Sequence, residues 1–340
     1  MAFKLDRPRQ FLVVLFTYVL VILVSAGIAS ANPDQWRKAG FTTDFSKAGV
    51  PFTDILSGGP PKDGIPSIDA PVFEPVSKAD WLDPKEAVIR LEIDGKVKAY
   101  PLRILIWHEI VNDSLGGVPV SVTYCPLCNS SIAFSRTLDG HLLDFGTTGL
   151  LRNSDLVMYD RQTETWWQQF TGEAIVGTLT GKTLKMLPSR VVAFSELQSA
   201  DPQAMVLSTP KPARRPYGRN PYPRYDSRSA PYPLFQGELP AGIEPMARVI
   251  LVRSAKELHA VALAHLRERE TISLSEEIEL SWSGGQASAL DAASVSGGRD
   301  VGTVKAVRKT GVSTEDLVHD ITFAFVVHAF HPELGIIGAK

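Results

Sequence analysis

Alternation of apolar and polar positions picks out the first clear pair of elements. Ala87-Val88-Ile89-Arg90-Leu91-Glu92-Ile93 alternates, Asp94-Gly95 is a two-residue hairpin signal, and Lys96-Val97-Lys98-Ala99-Tyr100 returns. Ile104 to Val111 reads as a short helix carrying Trp107, His108 and Glu109, ended by Asn112, Asp113, Gly116 and Gly117. Val118 to Tyr124 places its apolar residues on one strand face and runs directly into Cys125. Ser130 to Ser135 alternates again, and Leu138-Asp139-Gly140-His141 turns the chain. The pair Cys125 and Cys128 therefore sits on a tight connection between two expected strands.

The later pattern is more broken. From Thr209 to Pro245 the prolines forbid regular helix or interior strand, and basic residues alternate with Tyr217, Tyr222 and Tyr225. This stretch reads as a long surface arm. Val249 to Val252 is an expected strand, and Ser254-Ala255-Lys256-Glu257 matches a helix-start capping box with a helix to about Arg269. Ile272, Leu274, Ile278, Leu280 and Trp282 fit strands, with Ser283 to Gln286 as a turn. Ile321 to Phe330 is apolar almost throughout and reads as a strand buried on both faces, closing on His331-Pro332. No internal repeat is visible. The expected class is a β-rich α+β fold: one large domain of mostly antiparallel short strands, few helices, and the Pro-rich arm 209–245.

The N-terminus adds a location. Lys4, Arg7 and Arg9 precede an apolar run from Phe11 to Ile28, and Ala29-Ser30-Ala31 offers a cleavage pattern. This is the order of a secretory signal over residues 1–31, or of a retained anchor if it is not cut. Residues 32–53 form an extended lead-in, with few regular elements expected to about Pro75, and 54–340 the domain. The chain is expected in the periplasm or outside the cell. A net charge of -2 gives no pull toward nucleic acid, and export argues against reading the Arg/Tyr arm as a nucleic-acid patch. No P-loop, no G-x-S-x-G elbow and no H-E-x-x-H occurs.

Export changes the meaning of the two cysteines. A disulfide closing so short a loop constrains the unfolded chain little, which leaves metal binding or redox chemistry. Thiolates and imidazoles hold zinc or monovalent copper. Two sulfurs rarely complete a site, so His108, just before the strand that delivers Cys125, and His331, at the end of the last apolar run, are the candidate partners. Met158 is a softer and weaker candidate. The competing chemistry is thiol–disulfide exchange, but the redox-active pair normally opens a helix, and here a strand is expected after it.

Ala99-Tyr100-Pro101-Leu102, Trp107-His108-Glu109-Ile110-Val111-Asn112-Asp113 and Thr123-Tyr124-Cys125-Pro126-Leu127-Cys128 together resemble a bacterial and archaeal family catalogued as domain of unknown function 3179. Asn153 to Arg161, Tyr217 to Tyr222 and Ala329 to Pro332 resemble it too. The resemblance implies a single domain with the arm built in, and adds Asn153, Asp155 and Arg161 as residues that matter for site or fold. It implies no activity. The expectation is an exported protein holding copper, or zinc, through Cys125, Cys128, His108 and His331. Its role would be metal carriage or assembly of a copper enzyme, with a copper-containing enzyme or a membrane protein as partner. The alternatives are a dithiol oxidoreductase and a structural metal or disulfide.

Overall fold

A computed structural model describes residues 32–254, 257–311 and 313–339, so the expected export segment 1–31 lies outside the described residues. Among them no helix is long and apolar enough to cross a membrane. The lead-in opens on α1 (Pro33–Lys38), a helix where an extended chain was expected, because Asn32 caps it and Trp36 packs against Phe45, Phe52 and Trp166. Strands β1 (Ile55–Ser57) and β2 (Phe73–Pro75) follow.

The first half of the domain is β3 (Ala87–Ile93), β4 (Lys96–Pro101), α2 (Leu102–His108), β5 (Ile110–Leu115), β6 (Val118–Cys125) and β7 (Ser130–Ser135). An insertion then adds β8 (Thr137–Leu138), β9 (His141–Leu142), β10 (Phe145–Arg152), β11 (Asp155–Asp160), β12 (Trp166–Gln168) and β13 (Ala174–Val176), after which β14 (Met186–Leu187) returns to pair with β7. The half closes with β15 (Ser189–Ala193), α3 (Phe194–Ala200) and β16 (Met205–Leu207). The second half is β17 (Arg248–Arg253), β18 (Leu258–Ala262), α4 (Leu263–Arg269), β19 (Thr271–Ser273), β20 (Ile278–Ser283), β21 (Thr303–Thr310) and β22 (Ser313–Asp316). It ends with β23 (Val318–Phe323), α5 (Ala324–Phe330) and β24 (Ile336–Ile337). The expected β-rich α+β class holds, and the arm carries no strand or α-helix among its described residues.

The two halves are copies of one plan, which corrects the expectation of no repeat. In sheet β15-β3-β4-β16-β2 and in sheet β23-β17-β18-β24 the central hairpin is antiparallel, β15 and β23 join it antiparallel, and β16 and β24 join it parallel. A helix follows directly on β4 and on β18, and each ends at a glutamate, Glu109 and Glu270, with φ 60° and ψ -31°. Tyr124 N donates to Glu109 O, and Trp282 N donates to Glu270 O, both at 2.8 Å. Phe194 N to Glu86 O and Ser195 N to Pro84 O recur as Ala324 N to Ala247 O and Phe325 N to Pro245 O. One core runs through both halves, including Ile89, Phe134, Leu251 and Phe325.

Three other expectations move. The helix spans Leu102–His108 rather than 104–111, because Pro101 can precede a first turn but not sit inside a helix. Glu109 in the left-handed region then ends it, and Ile110 and Val111 join a strand. Ser254 does not open a helix: its hydroxyl donates to Glu257 O and accepts from Glu257 N, in the turn between β17 and β18. The apolar run 321–330 is strand only to Phe323 and helix thereafter, since an element buried on every side carries no period to tell the two apart.

Candidate functional site

The β6–β7 turn is clamped from two directions. Asn129 takes the left-handed conformation (φ 51°) that lets the chain reverse within the turn, and its N–H returns to Pro126 O at 3.2 Å. From the second half, Thr322 Oγ1 donates to Cys128 O at 2.8 Å and Asp320 Oδ1 accepts from Ser131 N at 2.9 Å. Asn129 Nδ2 donates to Ile321 O at 2.9 Å. From the arm, Tyr225 Oη donates to Leu127 O at 2.9 Å. The thiols are free, and Cys125 and Cys128 are 2% and 0% exposed. The equivalent of Cys125 in the second half is Ser283, and the loop 284–302 replaces the turn, so this site exists in one half only.

The insertion brings the third group. Asn153 and Ser154, both at positive φ, form the two-residue turn between β10 and β11, which sets Asp155 at the head of β11. Asp155 is fully buried. Its Oδ2 accepts from Gln168 Nε2 at 2.6 Å and from Phe170 N at 2.9 Å, while Oδ1 has no hydrogen-bond partner. One ligand atom from each of Cys125, Cys128 and Asp155 lies within 4.8 Å of the others.

Burial decides the protonation of this cluster. Desolvation lifts Asp155 to about 7 against the lowering contacts of Gln168, Phe170 and the two thiols, and raises both thiols above their ordinary range. A fourth acid stands beside them. Glu109 is buried at the end of α2, and desolvation, then the charge of Asp155, lifts its carboxyl to about 8. Its charge also acts on Cys125. Arg253 is the cation whose field reaches Asp155; its guanidinium lies over the Phe170 ring and donates to Phe170 O at 3.1 Å.

The other expected residues lie apart from the cluster. His108 Nδ1 donates to Pro66 O at 2.7 Å, which leaves Nε2 to accept from Tyr217 Oη at 2.7 Å, so Pro66 and the arm's Tyr217 occupy both ring nitrogens. His331 caps α5 with its ring against Phe170, at 6.2 Å between centroids. Met158 is buried in the core, three residues along β11 from Asp155 and so on the opposite face. Asn153 Nδ2 donates to Ala329 O at 3.5 Å, and Arg161 binds Asp69 and Ser67, in the segment before β2. Glu109 was not singled out from sequence, because nothing in the pattern marks a left-handed, buried glutamate.

The family model described as "Protein of unknown function (DUF3179)" matches residues 62–334. No curated protein and no solved structure matches the chain.

Proposed function

The chain belongs to the DUF3179 family, and from that premise, which supplies no activity, we propose that it binds one transition-metal ion through Cys125, Cys128 and Asp155. The observation that carries the reading is the convergence of two thiols and a carboxylate in a buried place where Asp155 Oδ1 has no partner. Burying three acids together is unfavourable unless they stay protonated or share a cation. A divalent ion removes the conflict by replacing their protons.

The donor set favours zinc, which accepts sulfur and carboxylate oxygen alike. Copper(I), the leading ion on sequence alone, prefers soft donors only, and the third donor here is an oxygen. Donors exposed by no more than 2% suit holding an ion rather than presenting it to a substrate. The role is therefore carriage or delivery, outside the cytoplasm if residues 1–31 direct export. The test is zinc titration of the reduced protein against a chelating indicator, with proton release followed. One zinc per chain with displaced protons supports the reading. Cys128→Ser and Asp155→Asn should each lose more than the roughly 10–100-fold that outer-sphere partners are worth. Equal affinity in all three proteins would sink it.

A second reading keeps the dithiol as an exchange centre, favoured by a buried carboxyl positioned to take a thiol proton. Against it stand the burial of both sulfurs and their raised pKa, since reactive thiols are exposed and depressed. Disulfide turnover by the metal-free protein that survives His108→Ala, slows in Asp155→Asn and is lost in Cys125→Ser would favour exchange.

A further inference from the structure

The duplication shows what one edge of the second half lacks. In the first half, β2 adds antiparallel to β16 (Phe73 opposite Leu207, Glu74 opposite Val206), and Val76 N donates to Ala204 O. Register through Ala99 and Ala260 makes Ile336 the counterpart of Val206 and Ile337 that of Leu207. Among the described residues β24 pairs with β18 alone. Leu207 is 1% exposed, whereas Ile337 is 42% exposed.

The neighbouring side chains tell the same story. Trp81 packs under the Arg103 guanidinium and donates to Glu74, filling the space beside α2. Alignment through Pro84 and Pro245 places Gly242 where Trp81 stands, and Ala264 where Arg103 stands. The result is a groove of about 810 Å³ lined by Gly242, Ile243, Ala264 and Gly338 together with charged residues, Arg267, Glu244 and Asp300 among them. Arg267 lies over Trp282 and has no carboxylate within ion-pair distance among the described residues.

We propose that this groove docks an extended segment of a partner protein, added antiparallel to β24 as β2 is added to β16. The segment supplies a large aromatic side chain to the space beside Ala264, as the continuation of β2 supplies Trp81 beside Arg103, and an acidic residue to Arg267, which stands where the first half has Ile106. An open sheet edge beside a groove for side chains is the arrangement that strand addition uses: main-chain bonds give affinity and the groove gives selectivity.

The chain provides its own probe. A labelled synthetic peptide with the sequence of residues 72–82 should bind the whole protein saturably, about tenfold or more tighter than a scrambled peptide. Binding should slow hydrogen exchange at residues 336–339. Ala264→Trp fills the groove from an exposed position, and Ile337→Asp charges the edge; each should weaken the peptide about tenfold or more. Binding no tighter than the scrambled control, or binding unchanged in both variants, overturns the proposal. So does protection confined to residues 205–207, which would mean exchange with β2. Self-association of the protein that Ala264→Trp dissociates also overturns it, by giving the groove to a second copy.

Discussion

Asp155→Asn removes the charge at the cluster and keeps the shape. The asparagine oxygen can take the place of Oδ2 and still accept from Gln168 and Phe170, while its amide faces the sulfurs. In the metal-free, reduced protein the folded state holds Asp155 at about 7, against 3.8 for the free side chain. The folded state therefore binds the extra proton. Its stabilising contribution is complete below about pH 4 and is lost as pH rises through about 7. Between about pH 5.5 and about pH 8.5 this group alone costs about 2 kcal/mol, from 1.36 kcal/mol per unit of pKa difference. Glu109, lifted to about 8, pulls in the same direction in both proteins. Urea unfolding of wild type and variant at the two pH values should show wild type losing about 2 kcal/mol more than Asp155→Asn. Parallel pH profiles would mean that Asp155 ionises as easily in the fold as in water, contrary to the effect of its burial. Zinc at about pH 8.5 should restore wild type and not the variant.

Three further outcomes follow from the clamps around the turn and from one ion pair away from it. Thr322→Val leaves Cys128 O without its donor and should cost about 1–3 kcal/mol in urea unfolding, with weaker zinc binding. Tyr225→Phe removes the arm's bond to Leu127 O, so zinc transfer to a chelator should speed up while the metal count stays the same. Arg90→Leu strands Asp201, which now receives two bonds from that guanidinium at 2.6 and 2.8 Å. It should cost about 3–5 kcal/mol by denaturation yet leave zinc stoichiometry unchanged.

The cysteine turn was legible because both flanking strands show period 2 and the sulfurs are two residues apart. Asp155 was not placed by the pattern; it entered through resemblance alone, since its partnership with Cys125 spans an inserted sheet. His108 stood next to the site in sequence but is turned away in space, because α2 ends there and the arm delivers Tyr217 to its ring. The duplication escaped notice for a related reason. What repeats is a set of main-chain bonds and strand pairings, kept by Ala99 with Ala260, Leu102 with Leu263 and Leu105 with Leu266. Facing positions such as Trp107 and Glu268 diverge, and the insertion 137–185 and loop 284–302 erase any fixed period. The helical end of the chain was hidden because an apolar run buried on all sides looks the same as strand or helix.

One ion held by two sulfurs and an oxygen has a spectroscopic signature, read by X-ray absorption at the zinc edge of the loaded, reduced protein. Two sulfur scatterers at about 2.3 Å and oxygen at about 2.0 Å are expected, with the sulfur signal reduced to one in Cys128→Ser. A shell of oxygen and imidazole without sulfur, or a reduced protein that takes up no zinc, would contradict it.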